Sequence, residues 1–153
     1  MANTYSQIYV HLVFATKERC PVLTDERQNE VYAYITELVK DYNSYLFAIG
    51  GMDDHLHLLI SLHPAHSVSE VVRIIKANSS RIINKKEWLK RRFSWQEGYG
   101  AFSVSQSSLD KVIHYIKNQK EHHSKQPFVD EYIDLLSKYR IEYNHEFIFA
   151  HVD

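Results

Sequence analysis

From His55 to Leu62 every second residue is aliphatic, Leu56, Leu58, Ile60 and Leu62, and two of the residues between them are His55 and His57. On a strand, residues two apart leave the same face, so this alternation fixes a register: the aliphatic set faces a core and both histidines face the other way. The run before it, Tyr45 to Met52, is separated from it only by Asp53-Asp54, so the two runs close as a hairpin. A hairpin in mid-chain, with helical patterns on both sides of it, restricts the architecture to a few antiparallel solutions.

The remaining elements follow from periodicity. Ile8, Val10, Leu12 and Phe14 alternate with Gln7, Tyr9, His11 and Val13, the pattern of a strand. Asp25 with Gln28 predicts the start of a helix whose apolar stripe is Val31, Tyr34, Ile35, Leu38 and Tyr42. A second helix is predicted from Val68 to Asn84, with Val68, Val71, Val72, Ile75, Ser79 and Ile82 on one side, and Ala101 to Ser105 reads as a fourth strand. Strand, helix, strand, strand, helix, strand is the order of an α+β, ferredoxin-like (RRM-like) fold: an antiparallel sheet with two helices on one face and the other face left for function. Ser107 with Asp110 predicts a cap for an additional C-terminal helix reaching about His123. Beyond it lie an amphipathic stretch, Tyr132 to Tyr139, and a strand-like end, Ile141 to Phe149, which periodicity does not place.

With 153 residues, 44% of them hydrophobic, the chain has material for one core, and residues 1–153 read as a single domain. Cys20 is the only cysteine, which excludes a disulfide framework and a four-thiolate zinc site. No apolar run approaches the roughly 20 residues of a membrane span, and no basic, hydrophobic leader opens the chain, so no membrane partner and a cytoplasmic location are expected.

Lys plus Arg (18) nearly balances Asp plus Glu (19), but the basic residues are unevenly placed. Arg73, Lys76, Arg81, Lys85, Lys86, Lys90, Arg91 and Arg92 fall in one stretch that contains a single acid, Glu87. Such a block, followed by Trp88, Phe93, Trp95 and Tyr99, suits a phosphate backbone with rings stacking on bases; the competing reading is a solvated basic helix end.

The chemistry concentrates elsewhere. The Cα atoms of His55 and His57 are about 6 to 7 Å apart on one strand face, so both imidazoles can reach one metal ion. On the third predicted helix Tyr115 and Gln119 sit one turn apart, beside a buried stripe of Leu109, Val112, Ile113 and Ile116. Two imidazoles and the Gln119 amide oxygen make an open N/O site suited to Mg²⁺ or Mn²⁺. Tyr115 can then attack a phosphodiester whose oxygen the ion polarises, giving transfer rather than hydrolysis.

Three segments, Asp54-His55-Leu56-His57-Leu58-Leu59, Trp95-Gln96-Glu97-Gly98-Tyr99-Gly100-Ala101-Phe102-Ser103-Val104 and His114-Tyr115-Ile116-Lys117-Asn118-Gln119, resemble the single-tyrosine transposases of bacterial insertion sequences, in the HUH endonuclease superfamily, and their REP-associated relatives. The resemblance extends from Tyr9-Val10-His11-Leu12-Val13-Phe14 nearly to the tail. It implies that His55, His57 and Gln119 bind the divalent ion and that Tyr115 forms a 5′-phosphotyrosine and releases a 3′-hydroxyl. It implies single-stranded DNA with hairpins as substrate, and a homodimer in which the tyrosine helix of one subunit can complete the other's site. It gives His122 no role, and that residue reads as a surface one. Two other readings compete: a binding module that grips single-stranded nucleic acid without cutting it, and a host-adopted nuclease that processes palindromic repeats.

Overall fold

The computed structural model describes residues 3–144, 146 and 148. Strand β1 (Tyr9–Ala15) leads through a 3-10 turn to α1 (Asp25–Asp41), and β2 (Tyr45–Met52) pairs with β3 (His55–Ser61) across the Asp53-Asp54 turn. Helix α2 (Val68–Lys85) returns the chain to β4 (Gly100–Val104), after which come α3 (Leu109–Lys117), α4 (Gln119–His123) and α5 (Phe128–Lys138). The strands lie in the order β2-β3-β1-β4 and every neighbouring pair is antiparallel. This is the α+β, ferredoxin-like sheet that the element order predicts.

The register carries the core. Leu12 opposes Leu58, Val10 opposes Ile60 and Phe14 opposes Leu56, so six aliphatic or aromatic side chains cover one sheet face. Val31, Ile35 and Val39 of α1 and Val71, Val72 and Ile75 of α2 pack on them. Ser67 caps α2 by accepting the Glu70 N–H at 3.1 Å, which satisfies one of the unpaired donors at a helix start.

The other sheet face is not open, contrary to expectation. Tyr9 and Leu59 pack with Leu109 and Ile116 of α3, while Val13 and Ala15 pack with Phe128, Tyr132 and Leu136 of α5. Every residue of β1 is therefore buried. The reason is the amphipathic tail: its apolar stripe begins at Phe128, and burying it on the sheet removes more apolar area from water than leaving both surfaces exposed. Gly50 on β2 sets how close α3 can come, because a Cβ built there would collide with the Ile116 carbonyl.

Local expectations needed four corrections. Thr24 precedes α1 and Asp25 makes no cap; Gln28 turns inward and donates to the Leu23 carbonyl at 3.0 Å. Ser107 lies in a 3-10 turn and does not cap α3. The helix predicted to run to His123 breaks at Asn118, whose ψ of 30° separates α3 from α4. Of the strand-like end, residues 141–144 carry no regular structure, and 145, 147 and 149 lie outside the described residues.

Candidate metal and nucleophile site

His55 and His57 project from β3 on the face covered by α3, α4 and α5, and both are fully buried. Asp54 Oδ1 lies 2.8 Å from His55 Nδ1. A carboxylate only accepts, so Nδ1 carries the proton and, in the neutral ring, Nε2 presents a lone pair inward. That lone pair faces Gln119 Oε1 at 3.3 Å. The amide is oriented by its own nitrogen, which donates to the Tyr115 carbonyl at 3.3 Å, so the oxygen is the atom aimed at the histidine. Phe128 lies flat on the His55 ring, 3.8 Å between centroids, and fixes its plane.

His57 is held at both nitrogens: Nδ1 lies 2.9 Å from His11 Nε2, and Nε2 lies 3.0 Å from Glu131 Oε1. Burial lowers the His57 pKa to about 4, and burial with the neighbouring His57 takes His11 to about 3. His123 Nδ1 donates to the Gln126 carbonyl at 2.8 Å, and its Nε2 lies 2.9 Å from Gln119 Oε1 and 3.1 Å from Glu131 Oε1. Burial alone would lower the His123 pKa, but the Glu131 carboxylate outweighs burial and raises it.

Glu131 arrives from α5 and is 2% exposed. Burial would push its carboxyl up, yet the hydrogen bonds from His123 and His57 hold it well below the usual carboxylate range. Its Oε2 accepts a hydrogen bond from the Tyr115 hydroxyl. Burial, followed by the nearby Glu131 charge, raises the Tyr115 phenol well above its ordinary value, so this arrangement stores the phenol rather than the phenolate. Beside Tyr115 a cleft of about 360 Å³ opens, lined in part by His11, Lys111, His122 and Lys138.

The four residues singled out in the sequence, His55, His57, Tyr115 and Gln119, come together in the structure. The break at Asn118 does not separate Tyr115 from Gln119. Sequence reasoning missed Glu131, His123, His11 and Phe128. For Glu131 a signal existed: a carboxylate set between Phe128, Tyr132 and Leu136 in an apolar stripe. His122 is not a free surface residue: its Nε2 is 3.1 Å from Glu131 Oε2, and its ring packs edge-on to Tyr115 at 5.2 Å.

The basic block lies elsewhere. Helix α2 covers the opposite sheet face from the histidines, so Arg73, Arg81 and Lys85 are exposed far from Tyr115, as are Lys86, Lys90, Arg91 and Arg92 on the loop after it. Lys76 turns in to donate to the Gln96 carbonyl at 2.7 Å, and Lys86 and Arg91 pair with Glu30 and Glu18. Phe93 and Trp95 are core residues, 3% and 7% exposed, and cannot serve as base-stacking platforms.

Comparison with known proteins places the chain in a class. The family described as IS200-like transposases matches residues 4–119, and the chain belongs to that family. It is 28% identical over 127 residues to the transposase for insertion sequence element IS200 of Salmonella typhimurium, covering 79% of this chain and 82% of that one. It is 25% identical over 120 residues to the ISDra2 transposase TnpA of Deinococcus radiodurans, covering 75% and 86%. A crystal structure described as a transposase from Deinococcus radiodurans R1 matches with a TM-score of 0.64 and 27% identity, over 78% of this chain and 95% of the other. A REP-associated tyrosine transposase bound to a REP hairpin shares the fold, with a TM-score of 0.57 and 16% identity over 76% and 68% of the two chains. Among the described residues no helix is long and apolar enough to cross a membrane.

Proposed function

We propose that this transposase nicks single-stranded DNA and transfers the strand through a tyrosyl ester, with Tyr115 as nucleophile and His55, His57 and Gln119 holding a divalent ion, Mg²⁺ or Mn²⁺. The observation that carries the reading is the meeting of the Tyr115 hydroxyl, two buried imidazoles and the Gln119 oxygen in one space. The ligand set fits a cation: His55, its Nδ1 directed at Asp54, turns Nε2 toward the Gln119 oxygen at 3.3 Å, and an ion between them would take a lone pair from each. When bound, the ion would polarise a non-bridging phosphate oxygen.

The chain's own residues do the rest. The hydrogen bond from the Gln119 amide to the Tyr115 carbonyl ties the ligand to the backbone of the nucleophile. Exposed Lys111 and Lys138 beside the cleft supply positive charge for a backbone. In the nicking step the Tyr115 oxygen bonds to phosphorus, the bond to the 3′ oxygen breaks, and the phenolic proton ends on the released 3′-hydroxyl. No water is consumed, so a free 3′-hydroxyl can reverse the exchange on another strand. Hairpin-bearing DNA as substrate is supported by the fold neighbour bound to a REP hairpin. The family resemblance supports a homodimer. The basic residues Arg73, Lys76, Arg81, Lys85, Lys86, Lys90, Arg91 and Arg92 are proposed to hold the DNA backbone away from the cut.

The test is a denaturing gel of the protein with labelled single-stranded DNA from both flanks of its gene, in Mn²⁺ or EDTA, beside Tyr115→Phe. A metal-dependent covalent adduct is expected with the parent and none with the variant. DNA binding without any adduct, on hairpin-bearing flanks, would replace the enzyme with a binding module.

A further inference from the structure

The family match ends at residue 119, yet the buried cluster does not. His55, His57, His123 and Glu131 each point one ligand atom inward, and these four atoms lie within 4.8 Å of one another. Ligand atoms around one ion at roughly 2.0 to 2.2 Å are spaced by about 3 to 4.4 Å, so the cluster is close to coordination size. Glu131 Oε1 is 3.0, 3.1 and 3.8 Å from the Nε2 atoms of His57, His123 and His55.

We propose that His123 of α4 and Glu131 of α5 are further ligands of the ion, so that the segment after the family domain completes the metal site. The inference rests on the metal-dependent reading above and deepens it.

Three observations carry it. First, the second nitrogens of His55 and His123 face acceptor-only groups, the Asp54 carboxylate and the Gln126 carbonyl. With a proton on each of those nitrogens, both Nε2 atoms point at the same space, already oriented as metal-binding histidines are by outer partners; in the metal-free cluster His123 Nε2 donates to Glu131, and an ion would take the place of that proton. Second, Glu131 is a carboxylate set in the apolar stripe of α5 and 2% exposed. Burying such a charge costs several kcal/mol unless a cation or strong donors meet it, and its Oε1 is turned toward the imidazoles of His57, His123 and His55 while its Oε2 meets the Tyr115 hydroxyl and His122. Third, its other oxygen holds the Tyr115 hydroxyl, so one carboxylate reaches both the ion position and the nucleophile. A site with three imidazoles, one carboxylate and the Gln119 oxygen is richer in nitrogen than the two-histidine set. It favours Mn²⁺, Co²⁺ or Zn²⁺ over Mg²⁺, and in an octahedral ion it leaves one position for a phosphate oxygen.

The experiment is calorimetric titration of the metal-free full chain with Mn²⁺ and Mg²⁺, with visible spectra of the Co²⁺-loaded protein, for the parent, His57→Ala and Glu131→Gln. Thermal melts in EDTA establish that each variant is folded. The expected result is one site in the parent, Mg²⁺ at least tenfold weaker than Mn²⁺, and Glu131→Gln at least tenfold weaker for Mn²⁺ with an altered Co²⁺ band. Unchanged affinity and spectrum in Glu131→Gln, with binding lost in His57→Ala, would overturn the proposal and leave the functional reading standing. Tighter binding in Glu131→Gln would also overturn it, by showing that the carboxylate competes with the ion for the imidazoles. A parent that binds no ion would sink both. X-ray absorption of the Co²⁺-loaded parent needs no variant: three imidazoles are expected, and two would remove His123.

Discussion

Gly50→Ala tests whether the position of Tyr115, the proposed nucleophile, depends on the closeness of α3 to the sheet. Gly50 opposes His57 across β2 and β3, and a methyl at this position would meet the Ile116 carbonyl. Ile116 follows Tyr115 directly and is fully buried, so the helix cannot rotate away without losing its own packing. Relieving an overpacked contact of this kind costs about 1 to 3 kcal/mol. In a domain of this size each kcal/mol lowers Tm by about 2 to 4 °C, so a loss of about 2 to 12 °C is expected in a circular dichroism melt. Because the strain falls on the residue beside Tyr115, adduct formation at 20 °C, well below the melt, should also drop. A Tm within 1 °C of the parent, with adduct formation intact, would refute the claim that Gly50 sets the approach of the tyrosine helix.

Three further predictions follow from burial and charge. Burial holds His57 at about 4, so the unfolded chain takes up its proton first as pH falls below about 6.5. His57 should contribute a loss of up to about 3 kcal/mol to the metal-free protein between pH 6.5 and 4, to which the equally buried His11 adds, read as the midpoint of urea unfolding, and a flat profile over that window would contradict the burial of both rings. Trp95→Ala should cost about 3 to 5 kcal/mol, because the indole packs edge-on to Phe14 and Phe93 at 5.0 Å and donates to Ser79 Oγ at 3.0 Å. Unaltered stability with weakened DNA binding would restore the stacking role that its burial removes. Arg91→Ala with Arg92→Ala should weaken single-stranded DNA binding across sequences and reduce the slope of log K against log salt by about 1.4, two phosphate contacts at about 0.7 each. An unchanged slope would move the DNA to the other side of the sheet.

The strands and the two histidines were legible because a strand's period is local: Leu56, Leu58 and Ile60 fix the face of His55 and His57 within seven residues. Tyr115 and Gln119 were legible for a similar reason, being one turn apart, and their proximity survived a helix break that has no Pro or Gly to announce it. Burial of the second sheet face was not legible, since it depends on where α5 docks, some 70 residues after β3. The aromatics after the basic block misled for the opposite reason. Without a period in that stretch they read as exposed, whereas Phe93 and Trp95 close the edge of the core between α2 and β1.

Glu131 shows how a non-local contact can change a site's chemistry. The local pattern of α5 is that of an ordinary amphipathic helix, and an apolar residue at position 131 would pack there without the cost of burying a charge. The carboxylate instead ties the helix to His57 and His123 through Oε1 and to Tyr115 through Oε2. Without a cation this arrangement holds Tyr115 as the phenol, because burial and the negative charge stabilise the protonated form, and the carboxylate occupies the imidazoles. A divalent ion held by the cluster would reverse both effects: its charge would favour the phenolate, and the imidazoles would turn from donors to Glu131 into ligands of the ion. The same buried group that stores the nucleophile in its protonated form would thus make its activation conditional on the metal. On this reasoning, loading the ion should lower the pH at which the Tyr115 phenolate absorbs in the ultraviolet, and Glu131→Gln should remove part of that difference by raising less opposition in the metal-free form.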